Sequence, residues 1–67
     1  MTNNEILGRI RYTFNFSDSE MMALFGLADY PVTRGQVCDW LKKEDDPAFQ
    51  KCSDTELAFF LNGLINA

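Results

Sequence analysis

The sequence repeats one helix-starting pattern four times, and this repetition favours a helical fold. In a capping box, a Ser or Thr side chain at the N-cap accepts a hydrogen bond from the backbone of the third helical residue. The Glu or Gln side chain of that residue binds the N-cap amide in return. An apolar residue precedes three of the boxes, as in a hydrophobic staple. The boxes pair Thr2 with Glu5, Ser17 with Glu20, Thr33 with Gln36, and Ser53 with Glu56.

Apolar residues follow each box at positions i, i+3, i+4 and i+7, the spacing of a helix with one buried face. This spacing predicts four helices, over residues 3–14, 18–28, 34–43 and 54–65. No segment alternates apolar and polar residues with the period of a strand, so we expect no sheet. Asp46 followed by Pro47 indicates a single extra turn ending near Gln50. The predicted fold is all-α, a compact four-helix domain with a short extra helical turn between helices 3 and 4.

The length of the chain limits how large its core can be. With 67 residues, it is close to the lower limit for independent folding, because only about 60% of the unfolded surface can be buried. The folded surface is expected to be about 4,300 Å². We therefore expect one helical domain over residues 1–67 that is marginally stable alone. Its core is predicted to contain ten side chains: Ile10, Phe14, Leu24, Phe25, Val37, Trp40, Leu41, Phe60, Leu61 and Leu64.

The composition argues against several kinds of chemistry. Histidine is absent, which removes Ser–His and Cys–His nucleophilic catalysis and histidine metal ligands. Cys38 and Cys52 alone cannot complete a four-ligand structural zinc site. The acidic residues 44–46 lack the ligand spacing and central Gly of a calcium loop. We therefore expect a protein that is not an enzyme, with no catalytic residues, no cofactor and no metal.

The first residues of the chain and its cysteines bear on the cellular location of the protein. Residues 1–5 are polar and lack the basic and apolar regions of a signal peptide. The longest apolar run, residues 21–28, is too short to cross a bilayer. Two cysteines are too few for a secreted disulfide scaffold, so we expect reduced thiols. These features predict a cytoplasmic protein that does not bind membranes.

Three parts of the chain carry a resemblance to a known family. They are residues 2–7, residues 37–47 with the run Trp40-Leu41-Lys42-Lys43, and residues 52–65. Together they resemble the YehS-like bacterial family, a domain of unknown function. Members typically carry two tandem copies, so the resemblance implies one repeat of a two-repeat protein and supplies no catalytic residues. The chain departs from the family pattern at Gly8, where a helix-favouring residue is usual, and at Asp29, where Gly is usual.

Apolar residues outside the predicted core stripes suggest a surface for a partner. Phe59 shares a helix face with polar residues, opposite the predicted core, and exposed aromatic side chains are often contact residues. Tyr12, Leu27 and Met22 also lie off their stripes. An alternative is that another segment of the same chain covers Phe59. With so small a core, we expect a non-catalytic module that associates with a second copy of the domain or with another protein.

The second and third helices suggest a different function, a helix-turn-helix transcription regulator. Residues 32–41 resemble the turn and recognition helix of repressors, and the predicted DNA contacts are Arg34, Gln36, Lys42 and Lys43. The net charge of −4 disfavours binding to nucleic acid. Pro31 also replaces the usual turn Gly. DNA binding is therefore the alternative function.

Overall fold

Four helices and their connections account for the whole chain, and the computed structural model describes all 67 residues. The helices are α1 (Asn3–Phe14), α2 (Asp18–Leu27), α3 (Arg34–Leu41) and α4 (Asp54–Ile65). No residue belongs to a strand. The all-α prediction is confirmed. Helices α1 and α4 have the predicted bounds, whereas α2 ends one residue and α3 two residues before the predicted end.

Helix α3 stops early because its last carbonyls bind donors from elsewhere in the chain. The Gln50 amide donates to the Asp39 carbonyl oxygen at 3.2 Å, and the Asn4 side-chain amide donates to the Trp40 carbonyl oxygen at 2.8 Å. The next residue, Lys42, has extended backbone angles. A continued helix would need these same carbonyls for its own backbone amides.

All four capping boxes are formed, with reciprocal hydrogen bonds between the N-cap and the third helical residue. In the box of α4, for example, the Ser53 amide donates to a Glu56 carboxylate oxygen at 2.9 Å. The Glu56 amide donates to the Ser53 hydroxyl oxygen at 3.1 Å. Helix starts were therefore predicted correctly because their chemistry lies within four consecutive residues.

Helices α1 and α2 both end in a Schellman motif, in which two amides beyond the helix bind its last free carbonyls. At the end of α2, Asp29 donates to the Gly26 carbonyl at 3.0 Å and Tyr30 donates to the Phe25 carbonyl at 3.1 Å. Asp29 has a φ of 60°, which glycine adopts with less strain. The backbone conformation at position 29 therefore explains why Gly is usual there in the family.

The core surrounds the Phe25 ring. The ring centroid of Phe25 lies 5.2 Å from that of Trp40 and 5.3 Å from that of Phe60. The total exposed surface is 4431 Å², close to the value expected from chain length. The buried apolar residues are Leu7, Met21, Leu24, Phe25, Val37, Trp40, Cys52, Leu57 and Phe60.

The core prediction was wrong at two positions. Phe14 is 58% exposed and Leu61 is 37% exposed. The buried face of α1 centres on Asn4 and Leu7, so Phe14 lies beyond its last buried turn. Leu61 is turned about 100° from Phe60 around α4, away from α2. The predicted core residues Ile10, Leu41 and Leu64 are only partly buried, at the margin of the core.

Helices α2 and α4 run antiparallel and approach each other most closely at a glycine. Phe25 packs on Phe60, and the backbone of Leu24 lies against buried Gly63. A Cβ atom at position 63 would overlap the carbonyl oxygen of Leu24. The absence of a side chain at Gly63 therefore sets the distance between these two helices.

The connection from α3 to α4 is held in place by Asn4, which is the buried polar residue of the fold. Its side-chain amide donates to the carbonyl oxygens of Trp40 and Gln50, both at 2.8 Å, and its side-chain oxygen accepts from the Cys52 amide at 2.9 Å. The connection also contains the predicted extra turn, in which the Phe49 amide donates to the Asp46 carbonyl at 3.0 Å. One asparagine thus links three separate chain segments.

Candidate interaction surface

The four predicted contact residues do not form one surface. Tyr12 is 88% exposed and Leu27 is 53% exposed, whereas Met22 and Phe59 are partly buried against the core. Met22 and Leu27 lie about 140° apart around α2, so they face different sides of the molecule. Of the four residues predicted from the sequence to contact a partner, two are therefore exposed and two pack against the core of the same chain.

Phe59 is covered by another part of the same chain. Its ring stacks on the Tyr30 ring, with centroids 4.5 Å apart and planes 8° apart. The Tyr30 hydroxyl donates to the Glu56 carboxylate at 3.4 Å. Burial and the Glu56 carboxylate raise the pKa of Tyr30 above its ordinary value. Phe59 and Tyr30 thus fix the turn after α2 onto α4.

Three other apolar side chains are exposed in the last turns of α1 and α4. They are Phe14 at the end of α1, and Leu61 and Ile65 in the last turns of α4, and we call them the α1–α4 patch. Ile65 is 80% exposed. The Phe14 ring stacks on the Phe16 ring, with centroids 5.4 Å apart. Sequence reasoning missed this patch because it assigned Phe14 and Leu61 to the buried core. One signal was visible, however: residues 12–17 and 57–67 contain no charged side chain.

The predicted DNA-contacting side chains are largely engaged within the chain. Arg34 donates to the Ser19 hydroxyl at 3.3 Å, and the Gln36 side-chain oxygen accepts the Thr33 amide hydrogen at 2.8 Å. Lys42 is 2.7 Å from Asp39, and this hydrogen bond raises the pKa of Lys42. Lys43 is exposed.

The connection between α2 and α3 also differs from that of a helix-turn-helix. It covers residues 28–33, which is longer than the three- or four-residue turn of that motif. Together with the engaged side chains, this geometry offers no specific support for DNA reading by α3.

The titratable side chains do not gather into a metal-binding group. No three His, Cys, Asp or Glu side chains lie close enough together to hold a metal ion. Both cysteines are free thiols. Cys38 is partly exposed, with its sulfur 3.8 Å from an Asp18 carboxylate oxygen, whereas Cys52 is fully buried. Burial raises the pKa of Cys52 to about 11, with smaller contributions from Glu56 and Asp54.

We expect the fold to lose stability at alkaline pH because of Cys52. Its folded-state pKa lies above the ordinary value of 9.0, so the full stability is present below pH 9.0 and falls as pH rises towards 11. The expected loss is up to about 2 kcal/mol, and Tyr30 acts in the same direction. Urea unfolding at a series of alkaline pH values measures it. The Cys52→Ala variant should start from a lower stability and show a shallower decline; an equal decline would rule out this thiol as the cause.

One depression on the surface lies between the start of α1 and the end of α3. It has a volume of about 350 Å³ and its apolar lining comes from Trp40, Leu41 and Phe49. Charges of both signs surround it, including Glu5 and Lys43. The buried Asn4 amide in its wall already makes three hydrogen bonds within the protein. No buried polar group in this depression is therefore free to select a ligand.

No helix of the fold has both the length and the apolar character needed to cross a membrane.

Comparisons with known proteins agree with the resemblance found in the sequence. The family model described as "Protein of unknown function (DUF1456)" matches residues 3–67. The chain is 38% identical over 65 residues to the "Uncharacterized protein YehS" of Escherichia coli strain K12. The match covers 97% of this chain and 42% of that protein, so the chain spans less than half the length of this relative. No solved structure matches the chain.

Proposed function

The chain belongs to the DUF1456 family of proteins of unknown function, and we propose that it is a non-catalytic module that associates with a second copy of itself. The observation that carries this proposal is the exposure of three large apolar side chains, Phe14, Leu61 and Ile65, in the last turns of α1 and α4. Exposed apolar groups that lie together mark binding sites more often than isolated ones do. The net charge of −4 favours a protein partner over nucleic acid or an anionic membrane.

The chemistry of the side chains supports a non-catalytic role. The sequence has no histidine, and the raised pKa of buried Cys52 keeps its thiol protonated at neutral pH, where the thiol form is a poor nucleophile. The free thiols fit a reducing compartment, and we propose that the module acts in the cytoplasm.

We propose a second copy of the domain as the partner. The chain matches 42% of the length of YehS, so that relative has room for a further domain of similar size. A domain of 67 residues is also close to the lower size limit for independent folding. Burial of apolar surface against a second copy would add to its stability.

We expect light scattering to show a mass that rises from monomer towards dimer across about 10 µM to 1 mM protein. Because association stabilises the folded state, the Tm should rise over the same series. Scattering at matched concentrations in high salt is the control, since apolar association should persist when charges are screened. A constant monomer mass together with a Tm independent of concentration would contradict the proposed function.

A further inference from the structure

We infer that Asn62 is a site of spontaneous chemical modification, and that unfolding of α4 controls when the modification occurs. Asn62 is followed by Gly63 in the last turns of α4. In such a pair, the backbone nitrogen of the glycine can attack the side-chain amide carbon of the asparagine. The reaction takes place within a single chain, so it does not depend on self-association.

The reaction consumes only water. A bond forms between the Gly63 nitrogen and the Asn62 Cγ atom, the Gly63 nitrogen loses its proton, and the side-chain nitrogen leaves as ammonia. Water then opens the resulting succinimide ring at either of its carbonyl carbons. One product has aspartate at position 62, and the other has isoaspartate, in which the backbone runs through the former side chain. Both products carry an additional negative charge at neutral pH.

Asn62 is the asparagine of this chain at which the attack is least hindered. The residue that follows it is a glycine, whose nitrogen has no Cβ atom beside it. The Asn62 side chain is also exposed to solvent, so water and hydroxide can reach it. The other asparagines precede residues that carry side chains: Asn3 precedes Asn4, Asn4 precedes Glu5, Asn15 precedes Phe16, and Asn66 precedes Ala67.

The folded helix prevents the attack. Residues 54–65 are helical, and each helical amide donates to the carbonyl four residues earlier, so the Gly63 nitrogen is bound to the Phe59 carbonyl. The backbone and side-chain amides of Asn66 donate to the Asn62 carbonyl at 3.2 Å and 2.9 Å. These bonds keep the backbone on both sides of the Asn62–Gly63 peptide helical. The ring can close only after this part of α4 has opened.

Opening α4 at this point unfolds the domain. Gly63 is buried against the backbone of Leu24, and Phe25 packs on Phe60 one turn away. Freeing the Gly63 nitrogen therefore separates α2 from α4 and breaks the core. In a single domain of this size, such a loss is cooperative. The rate of modification should therefore follow the population of the unfolded chain.

The isoaspartate product is not expected to return to the native fold. Isoaspartate adds a methylene group to the backbone of α4 immediately before Gly63. The residues after it are displaced, and Gly63 no longer lies against Leu24, where even an added Cβ atom would overlap the carbonyl oxygen. The aspartate product keeps the normal backbone, and its side chain is exposed. The glycine that packing requires at position 63 is thus also the residue that makes Asn62 reactive, and unfolding can become irreversible there.

The first test measures the loss of side-chain amide at each asparagine by peptide mass spectrometry, at neutral pH in a guanidinium chloride series. We expect the rate at Asn62 to rise by at least about tenfold between the native and the unfolded chain. It should follow the unfolded fraction given by circular dichroism. A native rate equal to the unfolded rate would overturn the inference, as would a faster loss at Asn15 than at Asn62 in the unfolded chain.

Two substitutions far from Asn62 in sequence test the control by unfolding without denaturant. Asn4→Ala removes buried hydrogen bonds and should raise the rate at Asn62 by at least about tenfold. Gly26→Ala places a better helix former at an exposed position and should lower the rate by about two- to fivefold. The free energy of unfolding is measured for each variant in parallel. Rates that do not follow these free energies would contradict control by unfolding.

The second test follows the products. The chain is modified in denaturant, its aspartyl and isoaspartyl forms are separated by chromatography, and each is returned to native buffer. We expect the aspartyl form and the matched variant Asn62→Asp to recover the helical circular dichroism spectrum, and the isoaspartyl form to remain unfolded. The control Asn62→Gln, whose longer side chain disfavours ring closure, should release little ammonia at this position and refold. An isoaspartyl chain as stable as the parent would overturn the irreversible step.

Discussion

Replacing Gly63 with Ala is expected to destabilise the fold by about 3 kcal/mol or more. Alanine is the better helix former by about 1 kcal/mol, so helix propensity alone predicts the opposite sign. The difference arises from the contact between α2 and α4. A Cβ atom at position 63 would overlap the Leu24 carbonyl oxygen, which belongs to a helix backbone and cannot rotate away. The two helices must therefore separate, and the packing of Phe25 on Phe60 is lost.

Two other helical glycines provide matched controls. Gly26 is exposed, and a Cβ atom there would meet nothing within 4 Å. A Cβ atom at Gly8 would lie 3.7 Å from a methyl group of Leu41, an ordinary van der Waals contact. Both substitutions to Ala should stabilise the fold by about 0.5–1 kcal/mol, as measured by urea unfolding of all three variants. Equal gains at positions 8, 26 and 63 would contradict the close approach of α2 and α4.

This contrast shows what sequence patterns can and cannot specify. A capping box is complete within four residues, so the start of each helix could be predicted from local chemistry. From the sequence alone, Gly63 is only a residue that disfavours a helix. Its packing role could not be predicted, because it depends on a carbonyl 39 positions away in α2. The same holds for the end of α3, where Asn4 takes the carbonyl that helix continuation would need.

The interaction surface was harder to predict for the same reason. Periodicity gives the direction of a side chain around its helix and not the position of the neighbouring helix. Phe59 lies off its stripe and is nevertheless covered, because Tyr30 stacks on it from a turn far away in sequence. Phe14 and Leu61 lie on their stripes and are nevertheless exposed, because α1 and α4 leave that end of the molecule open. The absence of charge over residues 12–17 and 57–67 was the one signal of the patch that the sequence contained.

Asn3 and Asn4 explain part of the family motif at residues 2–7. Thr2 and Glu5 form the capping box of α1, and the two residues between them bind the segment that leads into α4. Asn3 contacts Cys52 and Asp54, and Asn4 contacts the Cys52 amide. Four consecutive residues therefore both begin the first helix and attach it to the last.

Asn4→Ala is expected to cost about 3–4 kcal/mol of unfolding free energy, the second of the two large effects. The substitution removes the hydrogen-bond partners of the Trp40 and Gln50 carbonyls and of the Cys52 amide. Each buried polar group left without a partner costs about 1–3 kcal/mol, and water entering the space left by the side chain offsets part of the sum. The control is Asn3→Ala, at a neighbouring residue of the same type that is only partly buried, for which we expect about 1 kcal/mol.

Asn4→Asp tests whether hydrogen bonding rather than side-chain size causes this loss. The aspartate has nearly the same shape and can still accept from the Cys52 amide, but its carboxylate would face the Trp40 and Gln50 carbonyl oxygens. This arrangement favours the protonated acid, so the folded-state pKa of the new side chain should lie above its unfolded value. Stability should therefore be lowest at neutral pH and recover as pH falls through the folded-state pKa. Urea unfolding of both variants across this range measures the recovery. A variant as stable as the parent chain at neutral pH would mean that the Asn4 amide does not hold the two carbonyls together.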